Sequence, residues 1–410
     1  MHDHCDRRSF LRAAGAVPLW CGLRPGAWWS PRGDDHALVV LELTGGNDGL
    51  NTVIPVDDER YARQRPTLQV VRKGSHGLGD GTALHPALPR LHALVTAGQA
   101  TVVHGVGYPA PDRSHFRSRD IWHTADPQHQ RVTAATTGWL GRTADQLAAA
   151  AAGVPAAAVG GLEVPLLLRA QRVHVPSLRR VEDYQWGAPA GGPVAAAAPV
   201  RQVVADAAGG TAESLRDFVA TTARQAVGLA DELTRALARY RPRAEYPDTP
   251  LARELRLCAQ LVVAGFGTRL VHVATGGFDT HARQLVTHAG LLQQLDGALD
   301  AFVADLVAHR RAETVALLVH SEFGRRVAEN ASQGTDHGAA GPVLVALGGS
   351  RGGTVGAPPD LEHLDGGDLV AQVDFRSVYA ELLQWLGVDP TVVLGAAFAP
   401  VGLWPSAVRR

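Results

Sequence analysis

Five short polar blocks of this 410-residue chain carry residue types that do chemistry. In order they are Asn47-Asp48, Asp112-Arg113-Ser114-His115, Asp279-Thr280-His281, Ser321-Glu322-Phe323-Gly324-Arg325 and Asp336-His337. Carboxylates mixed with imidazoles suit a borderline divalent cation, zinc or manganese, because both offer lone pairs at neutral pH. Asp279, His281 and His337 would make a three-ligand site with an open position. Asp48 and Glu322 would give oxygen ligands to a second ion, or hold the first set in place. A paired site stabilises both the attacking and the leaving oxygen of an in-line displacement. Ser114, just before a helical pattern, would sit at the positive end of a helix dipole, a favourable place for a nucleophile or an anion. Arg113 and Arg117 could clamp a phosphate or sulfate through paired N–H donors. With them, Asn47, His115 and Arg325 are the candidate contacts to substrate.

Each block also has a plainer reading. Asp48 lies among glycines, as turn residues do. Ser114 could be a simple helix cap, and Glu322 could pair with Arg325 or Arg326 as a structural ion pair. His104, His123 and His320 read as supporting histidines. The case for a site rests on joint position, which depends on the elements around the blocks.

Those elements alternate short apolar runs with longer helical patterns, the signature of an α/β fold with a mostly parallel sheet. Strands are expected at 37–43, 100–104, 270–274, 314–319 and 342–347, and helices over 86–96, 285–309 and 375–386. The long helix repeats Leu292, Leu295, Leu299, Phe302 and Leu306 at helical spacing. Gly387 is a C-cap candidate, and Thr249-Pro250 reads as an N-cap with proline in the first turn. In open α/β sheets ligands gather at the carboxyl ends of the strands. Four blocks follow predicted strands, and Asp336-His337 stands just before one. Residues ~146–250 read as a strand-plus-helix insertion into a single domain spanning 34–410. Within it lie an Ala/Gly/Pro-rich loop at 187–199 and a helical pattern over 212–240.

Residues 1–33 read as an export signal. Arg7-Arg8-Ser9-Phe10-Leu11 and the weakly apolar run after it resemble a twin-arginine segment, which implies a periplasmic or extracellular protein that folds before export. Cys5 and Cys21 fall in that segment. Cys258 is then alone, on an apolar helix face with Leu251, Leu255 and Leu261, and reads as buried packing. Thirty-nine basic against 40 acidic residues give a net charge of −1, so no nucleic-acid partner is expected. No apolar run reaches the length of a membrane span. Lys73 is the only lysine, which leaves arginine and histidine as the candidate anion clamps.

The blocks Leu43 to Asn51, Ser114 to Trp122, Gly277 to His281, Ser321 to Arg325 and Gly334 to Gly338 resemble, in order, those of the exported domain-of-unknown-function 1501 family. That family is similar in turn to the alkaline phosphatase superfamily, which includes sulfatases and phosphopentomutases. The resemblance implies a doubly wound sheet with metals at the strand ends. Asp48 would match the superfamily's first-strand aspartate, Asp279 with His281 its next pair, and His337 its final histidine. Glu322-Phe323-Gly324 stands where the superfamily has Asp-His-Gly, so one imidazole is missing. Ser114 is the candidate nucleophile, with Thr44 and Thr52 as competitors. The function implied is a secreted metal-dependent hydrolase of phosphate or sulfate esters, on a small molecule or a polysaccharide. The alternative is a non-catalytic exported binding or envelope-associated protein on the same scaffold. Phosphoryl transfer or isomerisation is a third possibility.

Overall fold

The strand Ala37–Leu43 (β1) is buried along its whole length, and its alternation decides the architecture. Val39, Leu41 and Leu43 pack into one apolar cluster, with Leu255, Leu295 and Phe302. Leu38 and Val40 pack into another, with Ile121, Trp122 and Phe375. A strand buried on both faces needs helices on both, and that makes a doubly wound layer structure. The computed structural model describes residues 36–128, 131–148, 154–161, 163–179, 239–264 and 267–405. The proposed export segment, the 187–199 loop and the 212–238 part of the helical pattern lie outside these residues.

The other strands of the sheet are Ala100–Gly107 (β2), Ala156–Val159 (β3), Ser177–Leu178 (β4), Leu270–Thr275 (β5), Val315–His320 (β6), Gly341–Leu347 (β7), Gly353–Val355 (β8) and Val373–Asp374 (β9). Their order across the sheet is β8-β2-β7-β6-β1-β5-β3-β4, and β9 also pairs with β2. β1 is parallel to β5 and β6, while β7 runs antiparallel to both β6 and β2. The fold is thus mixed α/β around one large, mostly parallel sheet. The strand part of segment 146–250 extends this sheet at one edge, through β3 and β4.

Among the helices that contribute to the two apolar clusters are His115–Thr124 (α1), Pro250–Val263 (α2), Gln284–Ala308 (α3) and Phe375–Trp385 (α4). α2 starts as the sequence implies, with the Thr249 side chain accepting from the Ala252 N–H and Pro250 at the first helical position. Gly387, at φ 77°, follows the end of α4. Cys258 is fully buried on α2, and burial pushes its thiol well above the ordinary range, so it is inert packing.

The antiparallel course of β7 explains how Asp336-His337 can precede a strand and still reach the common edge. The start of β7 lies beside the end of β6. The loop 321–340 therefore leaves and returns at the carboxyl edge, next to the ends of β1 and β5. An isolated bridge, Arg325 with His337, closes that loop on itself.

Candidate metal centre

Asp279 follows β5 at the centre of the cluster. Its Oδ1 lies 3.0 Å from His281 Nε2 and 3.2 Å from His337 Nε2, and its Oδ2 lies 3.5 Å from His115 Nε2. The two nitrogens His281 Nε2 and His337 Nε2 are 2.9 Å apart. His115, Asp279 and His337 can each offer one ligand atom within 4.8 Å of the others.

The opposite side of each ring fixes what faces inward. His337 Nδ1 lies 2.8 Å from the Arg113 carbonyl, which can only accept, so Nδ1 carries the hydrogen. His281 Nδ1 meets Asp336 Oδ1 at 3.2 Å, and His115 Nδ1 meets Glu322 Oε1 at 2.8 Å. With all three Nδ1–H groups donated outward, three Nε2 lone pairs converge on one carboxylate. Two bare lone pairs at 2.9 Å repel each other, and a cation between them removes the conflict. His115 Nε2 is a buried nitrogen without a hydrogen-bond partner, its 3.5 Å approach to Asp279 being too poor to count. An imidazole held by an outer carboxylate or carbonyl, with its other nitrogen aimed inward, is how proteins orient metal-binding histidines. Ligand separations of 2.9–3.5 Å match the edge of a tetrahedron with metal–ligand distances of roughly 2.0–2.2 Å. The residues present therefore fit a divalent ion held by His115, Asp279 and His337, with His281 Nε2 close beside Asp279 Oδ1 and His337 Nε2.

The electrostatics agree. Partial burial alone would raise the Asp279 carboxyl, but the neighbouring Arg325 guanidinium leads the groups that outweigh it and hold it at about 2. Burial pushes His337 below its ordinary value, against the pull of Asp279. The Asn330 hydrogen bond, helped by His281, lowers Asp336. Both Asp279 and His337 are thus in the unprotonated form a metal requires. Asp279 and His281 keep 48% and 42% of their side chains exposed, so one side of the cluster opens to solvent.

Several expected site residues stand elsewhere, each for a visible reason. Asp48 is fully buried, with its Oδ2 2.7 Å from Arg65 Nη1 and a further hydrogen bond from Gln284. It also caps the short helix Gly49–Thr52. It is a structural anchor and joins no ligand group among the described residues. Glu322 does not face the cluster directly. It holds His115 in place and accepts from the Gly45 N–H at 2.8 Å. His115, expected at the substrate, belongs with the ligands. Asn47 is turned inward, its Oδ1 2.9 Å from His288 Nε2 and its amide on Thr52 Oγ1.

Arg325 is almost wholly buried, and all three of its nitrogens are in use. It donates to the carbonyls of Gly45, Gly46, Phe278 and Thr335 and to Asp279 Oδ1. It ties three loops together under the cluster and, at 2% exposure, is not presented to a substrate. Arg113 is paired with Asp368, Nε to Oδ2 at 2.7 Å, and Arg117 donates to the Pro127 carbonyl at 3.0 Å. Ser114 is the exposed N-cap of α1, with no capping bond from its side chain, immediately before His115. Phe323 packs against both His115 and His337, with ring centroids 4.9 and 4.8 Å apart, so the residue where an imidazole was missing serves as a wall.

A cleft of about 880 Å³ adjoins the cluster through Arg113. Tyr108, Asp112, Asp365, Asp368 and Gln372 are among its lining residues.

A family model described as "Protein of unknown function (DUF1501)" matches residues 74–399. The chain belongs to the DUF1501 family. No curated protein matches it. Among solved structures, the DUF1501 chain is similar to Ps i-CgsB in complex with k-i-k-neocarrahexaose, at 10% identity and a TM-score of 0.43. That alignment covers 91% of this chain and 76% of the other. It is also similar to the PsFucS1 sulfatase from Pseudoalteromonas sp., at 12% identity and TM-score 0.39, over 86% and 68% of the two chains. A protein in the alkaline phosphatase superfamily from Vibrio parahaemolyticus is similar at 12% identity and TM-score 0.37, over 89% and 70%.

Proposed function

We propose that this DUF1501 protein is a metal-dependent hydrolase of phosphate or sulfate esters, built on a single exposed divalent ion, zinc or manganese. One observation carries the reading. Three imidazoles donate their Nδ1–H groups outward and turn Nε2 toward one carboxylate on the solvent side of the sheet edge. When bound, the ion supplies Lewis-acid stabilisation of the ester's non-bridging oxygens. The chain's own residues do the rest. Ser114, at the N-terminus of α1, is the proposed nucleophile. Its Oγ displaces the alcohol from phosphorus or sulfur, the alcohol leaves with a proton, and water then releases the acid and restores the hydroxyl. The adjoining cleft would hold the alcohol part of the ester. The sequence resemblance to sulfatases and phosphatases supports this chemistry, as does the proposed twin-arginine segment for an exported protein.

A second reading draws on the arginines. Arg325 and Arg113 are both committed to internal partners, which is the arrangement expected of a non-catalytic exported binding or envelope-associated protein on the same scaffold. Metal analysis with a panel of chromogenic phosphate and sulfate esters separates the two. The hydrolase reading expects about one chelator-removable ion and turnover lost in both Asp279→Ala and Ser114→Ala. Turnover unchanged in these variants would sink the site assignment. A loaded protein inert toward every ester would favour binding.

A further inference from the structure

Beneath the exposed centre, a second polar cluster crosses the sheet inside the core. β1, β5 and β6 are parallel neighbours, and register pairs Glu42 with His320 and Val40 with His272. Residues paired in register share a face, so Glu42, His272 and His320 all lie on the side covered by α1. α1 brings His123 onto Glu42 and stacks Trp122 on His320, with ring centroids 4.8 Å apart and planes within 7°. Glu42 Oε2 is 3.0 Å from His123 Nε2 and 3.2 Å from His272 Nε2. All four side chains are buried, at 1–5% exposure.

Hydrogen bonds among these residues leave the cluster unfinished. Glu42 Oε1, His320 Nδ1 and His320 Nε2 are buried with no partner. Buried polar groups are nearly always satisfied, so an orphaned carboxylate oxygen and an orphaned imidazole on register-paired residues leave room for a partner such as an ion. A carboxylate with two imidazole nitrogens is also a zinc donor set with one position left over, and separations of 3.0–3.2 Å are near the edge of a tetrahedron of roughly 2.0–2.1 Å bonds.

We infer that Glu42, His123 and His272 hold a second divalent transition-metal ion, zinc by chemical class, sealed in the core. His320, stacked on Trp122 beside this set, keeps both nitrogens without a hydrogen-bond partner among the described residues and lies outside the three-ligand group. The ion would fasten α1 to β1 and β5 from inside, and it has no part in hydrolysis. This site is independent of the exposed centre, shares no residue with it, and stands or falls separately.

The test is metal counting on the full chain produced in zinc-supplemented medium. The wild type is expected to carry two equivalents. EDTA under native conditions should remove one, from the exposed centre, and leave the other until urea unfolds the chain. His272→Gln should lose the EDTA-resistant equivalent and keep the labile one, while Asp279→Asn should do the reverse. A wild type with no EDTA-resistant equivalent overturns the inference, as does His272→Gln that retains one. Should His272→Gln fail to fold, the wild type loaded with cobalt(II) decides the matter. A tetrahedral d–d absorption band that survives EDTA supports the buried site, and its complete loss refutes it.

Discussion

At the scale of single residues, the centre depends on groups that never touch its ion. Glu322 fixes the ring of His115, and orienting partners of this kind are typically worth about 10–100-fold in metal affinity. Glu322→Gln should therefore weaken metal binding by that factor while the far-ultraviolet circular dichroism stays unchanged; titration with a fluorescent zinc competitor reads it. Arg325 is the stronger case. Removing a buried guanidinium leaves the half-exposed Asp279 and four carbonyls short of their donor, and a buried acceptor left unsatisfied typically costs about 1–3 kcal/mol. Arg325→Met should lower the urea midpoint accordingly. Arg325→Lys should recover little, because one ammonium cannot reproduce the planar fork that reaches three loops.

At the scale of elements, close backbone approaches hold the ligand loops together. A Cβ on Gly334 would lie 2.1 Å from the carbonyl carbon of His281, whereas one on Gly290, within α3, meets nothing within 4 Å. Gly334→Ala should push the two ligand loops apart, lowering both the melting temperature and metal affinity. Gly290→Ala should stabilise by about 0.5–1 kcal/mol through helix propensity alone. Thermal melts with and without zinc separate these effects. The five long strands and the cap at Thr249 were legible in the sequence because apolar runs and turn residues report local backbone preference. Asp279, His281 and His337 were legible as a set because they flank strand ends. What stayed hidden was non-local. Nothing near Asp48 in sequence announces Arg65 and Gln284, and nothing near Arg325 announces the four carbonyls it serves. His115 could not be told from a substrate contact before Glu322 was seen behind it. Glu42 did leave a signal, a carboxylate inside the otherwise apolar run Ala37–Leu43, which alternation places on a buried face.

For the molecule as a whole, the buried Asp48–Arg65 pair links stability to pH. Burial pushes the Asp48 carboxyl up, but Arg65, His288 and Gln284 outweigh it and hold it below its ordinary value. A carboxyl depressed in the folded state contributes stability above its unfolded value of about 3.9, and that contribution is lost as pH falls toward the folded value. Urea midpoints should therefore hold from neutral pH to roughly 5 as far as this group is concerned, and decline as pH falls below about 4. Asp48→Asn should flatten part of that decline while lowering stability at neutral pH. The exposed centre bears on time as well as on stability. Its ligands come from three distant stretches: His337 lies 58 residues from Asp279 and 224 from Arg113, the carbonyl that orients its ring. Contacts this remote must wait until the intervening chain has collapsed, since closing long loops slows folding. The helix that starts at His115, the loop after β5 and the turn before β7 present no common ligand set until all have docked. Capture of the exposed ion then marks the end of folding, and its kinetics report when the last loop arrives.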